Sequence, residues 1–150
     1  MAKQSAGILL YRRTPSLEVL LVHPGGPFFA RKDLGSWSIP KGEVLEGEDP
    51  LQAAIREFFE ETGTTLSGAF MPLESIRQKG GKAVQAWALE GDLDVSRVVS
   101  NTFTIAWPPG SGRQQTFPEI DKAQWFSPVQ AREKINEAQR ALIEDLAGRL

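Results

Sequence analysis

Asp49-Pro50-Leu51-Gln52-Ala53-Ala54-Ile55-Arg56-Glu57-Phe58-Phe59-Glu60-Glu61-Thr62-Gly63 is a helix with both ends written into it. Asp49 offers a side-chain acceptor to the unpaired N–H groups of a first turn. Pro50 suits the first helical position, and Gln52 stands where a reciprocal cap can reach back. Gly63 supplies the left-handed residue that closes a last turn. The pattern predicts a helix over residues 50–62, about three and a half turns and roughly 20 Å long. On a wheel of about 100° per residue, Glu57, Glu60 and Glu61 share one stripe, while Leu51, Ile55, Phe58 and Phe59 fall on the other side. That predicts a core face opposite an acidic face. Like charges at i, i+3 and i+4 each destabilise a helix by a few tenths of a kcal/mol. A hard divalent cation, which prefers carboxylate oxygens, is the natural compensation.

Outward from this helix the chain reads as strands. Residues 5–11 and 17–23 are strand-like and are separated by a turn at Thr14-Pro15-Ser16. A loop over 23–36 carries Pro24-Gly25-Gly26-Pro27 and Phe28-Phe29-Ala30-Arg31-Lys32. Residues 37–40 form a short extended piece, with Ile39 biased to β by Pro40. Beyond the helix, strands are expected over 70–79, 83–90 and 102–107, with Gly80-Gly81 as a hairpin turn. A polar loop over 108–117 leads to a short strand around 124–126. Ser127-Pro128 then opens a helical C-terminus, with Leu142, Ile143, Leu146 and Leu150 at helix spacing. Several strands with few helices predict an α+β fold, read as a single domain over residues 1–150.

Composition narrows the function. Hydrophobic residues make up 41 % and charged residues 24 %, which excludes disorder and collagen-like repeats. The chain has no cysteine, so a disulfide scaffold, a thiolate metal site and a cysteine nucleophile are excluded, and a reducing cytoplasm is the expected compartment. The lone histidine, His23, cannot supply a His-rich metal site and reads as structural. With 17 basic and 19 acidic residues the net charge is −2, lacking the basic excess of a duplex-binding protein. No apolar run approaches the roughly 18 residues of a membrane helix, and the N-terminal apolar stretch, closed by Arg12 and Arg13, is too short for a signal peptide.

Gly42, Glu48 and Arg56-Glu57-Phe58-Phe59-Glu60-Glu61-Thr62-Gly63 follow the spacing G-x5-E-x7-R-E-U-x-E-E-x-G-U, with U apolar. This resembles the Nudix box. Every charged and glycine position matches and Phe58 fills the first apolar slot; only Thr64 departs, where an aliphatic residue is usual. The resemblance implies a Nudix-type mixed β-sheet sandwiched between helices, with the box as loop–helix–loop. It also implies hydrolysis of a nucleoside diphosphate linked to another moiety. Glu57, Glu60 and Glu61 become ligands of Mg²⁺ or Mn²⁺, with the Lys41 carbonyl as a further one. Gly42, Glu48 and Gly63 become structural, Glu48 pairing with Arg56, which orients a catalytic carboxylate. Some members place a glutamate base just before a late Trp-containing strand, where Glu119 stands ahead of Trp125. Asp121 competes for that role, and Glu57 itself is the third candidate.

Substrate readings follow from the neighbouring loops. Arg31, Lys32, Lys41 and Arg113 are positioned to meet phosphates. Phe29 heads the aromatics for stacking on a base; Phe28, Trp87, Trp107 and Phe117 complete the set, most of them expected in the core. Trp37-Ser38-Ile39-Pro40-Lys41-Gly42 is similar to the W-x-x-P-K-G run of dinucleoside polyphosphate hydrolases and of some oxidised-nucleotide cleaners. The ADP-ribose branch expects a proline past the box, where this chain reads Arg77-Gln78-Lys79-Gly80-Gly81. The expected activity is Mg²⁺-dependent cleavage of a dinucleoside polyphosphate. Its alternatives are a nucleoside triphosphate, oxidised or not, a nucleotide-binding module without catalysis, and RNA end-processing, for which the charge gives no electrostatic footprint. Monomer and homodimer both stay open.

Overall fold

The computed structural model describes residues 4–78 and 80–150; the expected strand end at Lys79 lies outside them. The first two strands, β1 (Gln4–Arg12) and β2 (Glu18–Pro24), are apolar almost throughout and buried on both faces, as befits the middle of a sheet covered on two sides. β3 (Lys41–Glu43), β4 (Met71–Pro72), β5 (Ile76–Arg77), β6 (Ala83–Glu90) and β9 (Ile120–Phe126) complete it. Among the described residues the sheet runs β4-β6-β1-β2-β9, with β3 added to β1 and β5 to β6. β1 and β6 are parallel, in register from Gln4 opposite Ala83 to Tyr11 opposite Glu90. The other pairings are antiparallel, so the sheet is mixed.

Side chains alternate across the strands and build two cores. Ala6, Ile8, Leu10 and Leu20 pack under α1 (Pro50–Thr62) with Ala53, Ala54 and Phe58. Leu9, Tyr11, Val19 and Leu21 pack on the other face beneath α2 (Pro128–Lys134) and α3 (Arg140–Arg149), through Ala131, Leu142, Ile143 and Leu146. The expected α+β layering, a sheet between helices, is what the chain adopts. No helix among the described residues is long and apolar enough to cross a membrane.

α1 has the predicted bounds. Asp49 accepts from the Gln52 N–H at 3.1 Å, and Gly63 takes φ 81° at the closing position. Its faces differ from the wheel. Ala53, Ala54, Phe58 and Thr62 are buried, whereas Phe59 is 50 % exposed. The helix therefore turns its carboxylate stripe toward the sheet. Small alanines let the backbone approach β1 closely, and the glutamates come down beside them instead of facing bulk water.

Other differences are local. Where one strand is expected, the described residues 70–78 hold two short ones, separated by Leu73, Glu74 and Ser75. The expected loop over 108–117 is shorter, because β8 (Gln114–Pro118) pairs with β7 (Thr102–Ala106) as a separate two-stranded ribbon. β9 begins at Ile120, ahead of the expected 124. Leu150 is 45 % exposed and outside the core. Lys41-Gly42-Glu43 carries no apolar signal, yet it pairs with β1 and delivers the chain into α1.

Candidate active site

The loop between β3 and α1 is tied down by one side chain. Arg56 Nε donates to Glu48 Oε2 at 2.8 Å, and Nη2 donates to Glu48 Oε1 and to the Glu43 carbonyl, both at 3.0 Å. Nη1 donates to Glu57 Oε1 and Glu60 Oε2, again at 3.0 Å. All five N–H groups of the guanidinium are thus engaged, a planar fork no other side chain can reproduce. Glu48 also accepts from the Leu45 N–H at 3.1 Å, closing the loop on itself. These bonds raise the pKa of Arg56 and hold that of Glu48 below its ordinary value. Gly42 has a steric role: a Cβ there would lie 2.0 Å from Glu57 Cδ, so the Glu57 carboxylate rests on bare backbone.

Glu61 lies one residue further along the same stripe, half-buried. Desolvation, then repulsion from Glu57 and Glu119, push its carboxyl up to about 8, against a weaker pull from Lys41. Glu57 is raised by burial and by Glu60, and Glu119 by burial and by Glu60. Lys41 is lowered, chiefly by burial. Shifts of this kind gather where charged groups are crowded for a task.

Glu61, Lys41 and Glu119 line one side of a cavity of about 270 Å³. Its remaining wall comes from Val22 and Pro24, from Phe29, Ser36 and Ser38 of the following loop, and from Gln78, Asn136 and Gln139. The loop is held by α2: the Gly35 and Trp37 N–H groups donate to the Glu133 and Lys134 carbonyls, both at 3.0 Å. Gln139 is buried, its amide oxygen accepting from the Ile39 N–H at 3.0 Å and its nitrogen donating to Ser38 Oγ at 3.0 Å.

The sequence-derived residues divide accordingly. Glu48, Arg56, Glu57, Glu60 and Gly42 meet in one bonded cluster, and Glu61, Glu119, Lys41 and Phe29 meet at the cavity. Arg31, Lys32 and Arg113 are exposed and are not part of that wall; Lys32 Nζ lies 5.3 Å from the Phe29 ring centre instead. Their charge marked them, but both stretches run outward. Phe28 stacks edge-on against Trp107 at 5.4 Å, and Phe117 lies 5.9 Å from Phe103 on the ribbon, while Trp87 packs beneath α1. Asp121 is taken up by His23 Nδ1 at 2.8 Å, and His23 Nε2 meets the Lys32 carbonyl at 2.7 Å, as a structural histidine would. Gln78, Asn136, Gln139, Ser36 and Ser38 escaped the sequence reading. Short polar residues in loops and helix ends look like ordinary surface until the fold collects them.

The residues fit a divalent cation. Glu57, Glu60 and Glu61 form a half-buried set of hard oxygens, and with Glu119 their mutual repulsion favours a bound positive charge. No group of three or more Asp, Glu or His among the described residues is already arranged to hold an ion. Glu57 and Glu60 each give an oxygen to Arg56 instead.

The NUDIX domain family model matches residues 1–146. An RNA pyrophosphohydrolase of Rhizobium meliloti is 63 % identical over 104 residues, covering 59 % of this chain and 57 % of that protein. The asymmetrical bis(5'-nucleosyl)-tetraphosphatase of Rattus norvegicus is 32 % identical over 109 residues, covering 63 % of this chain and 70 % of its own length. The chain spans well under two thirds of the length of most curated relatives it matches, 36 % and 41 % for two of the RNA pyrophosphohydrolases and 16 % for another. Among solved structures, a C. elegans Ap4A hydrolase in a binary complex superposes with a TM-score of 0.66 at 25 % identity, covering 97 % of this chain and 96 % of that one.

Proposed function

The chain belongs to the Nudix family, and on that premise we propose that it is a divalent-metal-dependent pyrophosphohydrolase acting on a dinucleoside polyphosphate. The observation that carries the reading is the gathering of Glu57, Glu60, Glu61 and Glu119 around α1, with Glu61, Glu119 and Lys41 facing one cavity. Glu57, Glu60 and Glu61 would hold Mg²⁺, or Mn²⁺ in its place, and the ion would supply charge neutralisation at phosphate oxygens and a more acidic water. Arg56 orients Glu57 and Glu60 through the bonds described, and Lys41 meets a phosphate at the cavity mouth. Glu119 takes the proton of the attacking water as the new P–O bond forms and the bridging P–O bond breaks. Burial and the nearby charge of Glu60 raise its pKa, which makes its carboxylate a stronger base. Asp121, already bonded to His23, is the poorer candidate.

The family resemblance of the Trp37–Gly42 run and the likeness to the rat tetraphosphatase and the nematode Ap4A hydrolase favour a dinucleoside polyphosphate. A second reading, the pyrophosphate end of an RNA, rests on the 63 % identity with the R. meliloti protein. The cysteine-free composition suits work in the cytoplasm. Incubation with Mg²⁺ and a panel of dinucleoside polyphosphates, nucleoside triphosphates and a 5'-triphosphorylated RNA, with products identified by mass, tests the proposal. Release of a mononucleotide from the dinucleoside substrates at the highest kcat/KM supports the first reading. Preferential release of pyrophosphate from RNA supports the second, and no product from any of them rejects both.

A further inference from the structure

Glu119 stands between the ribbon and β9, and three backbone groups beside its side chain are fixed by distant parts of the chain. Its own N–H donates to the Asn101 carbonyl at 2.8 Å, and its carbonyl accepts from the Gly25 N–H at 2.8 Å. The next N–H, of Ile120, donates to Ser100 Oγ at 3.0 Å. The same hydroxyl donates to the Asn101 carbonyl at 2.8 Å, so Ser100 bridges the two sides of the Glu119 peptide. The 99–101 segment is anchored on α1. The Asn101 N–H donates to the Glu60 carbonyl at 2.8 Å and the Val99 N–H to the Thr62 carbonyl at 3.0 Å, satisfying carbonyls that a helix end leaves open. Gly25 is required by contact: a Cβ there would lie 2.0 Å from the Pro118 carbonyl oxygen.

We propose that Ser100 and Gly25 are positioning residues for Glu119, linking it through Asn101 to the carboxylate turn of α1. The backbone chain Glu60–Asn101–Glu119–Gly25 sets the distance between Glu119 and the helix that carries Glu57, Glu60 and Glu61. The Ser100 hydroxyl keeps that chain from pivoting. Small displacements of a reacting group are costly in rate, and such a brace limits them. Gly25 extends the brace into the loop that carries Phe29. This inference rests on the reading of Glu119 as the base.

The test is a double-mutant cycle on the full chain, with kcat, KM and Tm measured for each variant. Ser100→Ala lowers kcat by about tenfold or more with KM within about twofold, as expected for a misplaced reacting group. Ser100→Thr, which keeps the hydroxyl, restores most of that loss. In a Glu119→Gln background Ser100→Ala costs nothing further. Gly25→Ala behaves as Ser100→Ala does, and if it fails to fold the Ser100 series decides alone. Equal kcat losses from Ser100→Ala in both backgrounds, or none in the parent chain, overturn the positioning role while leaving Glu119 as the base. Full activity in Glu119→Gln itself removes the base, and the brace with it.

Discussion

Arg56 joins the box loop to the helix and orients two glutamates, and it does so with a fork of five donors. A lysine has the charge without the plane. Arg56→Lys is expected to lower kcat by about 100-fold while the protein stays folded, since displaced reacting groups carry penalties of that size. Steady-state kinetics with circular dichroism checks this. Glu61 makes a second prediction through pH. Its carboxyl is raised to about 8 in the fold against 4.5 as the ordinary value, so the folded chain keeps a proton that the unfolded chain releases. Its contribution to metal-free stability is therefore fully present below about pH 4.5 and is lost as pH rises through about 8. In a chelator, Tm should be lower at about pH 8.5 than at about pH 6, and Glu61→Gln should flatten the difference. Saturating Mg²⁺ should restore Tm most at the higher pH, because it favours the ionised carboxylate.

At the scale of elements, α1 shows both how far the sequence can be read and where reading stops. Asp49, Pro50 and Gly63 are local signals, so both ends of the helix were legible. The i, i+3, i+4 carboxylates were legible for the same reason. Which face turned inward was not, because a wheel sorted by hydrophobicity weights Phe59 and ignores Ala53 and Ala54, whose smallness allows close approach to β1. The contrast is measurable. Phe58→Ala should cost about 3–5 kcal/mol, as for a large side chain cut from a packed core. At this chain length Tm falls by about 2–4 °C per kcal/mol. Phe59→Ala, half-exposed, should cost less than about 1 kcal/mol. Equal losses would return the helix to the orientation of the simple wheel. β8 went unread because Gln114-Gln115-Thr116 is polar on both faces of an exposed ribbon, and β3 because three residues carry no period.

Across the whole molecule, the sheet brings together what the chain keeps apart. β3, paired with β1, carries Lys41 and Gly42 beneath α1, β9 follows directly on Glu119, and the connection between α2 and α3 contributes Asn136 and Gln139 to the far wall. Of that assembly only Glu57, Glu60 and Glu61, with Lys41 and Gly42 just ahead, lie within one local stretch of sequence, which is why the amide side was illegible. In the proposed function, these gathered carboxylates make the chain a hydrolase of pyrophosphate bonds. Its most direct test is kcat on the best substrate of the panel, with Mg²⁺, for the parent chain and Glu60→Gln. The variant is isosteric and removes one negative charge. Glu60→Gln should lower kcat at least about 100-fold, the size expected when a strong electrostatic contributor is lost. Turnover by Glu60→Gln at the parent rate would contradict it.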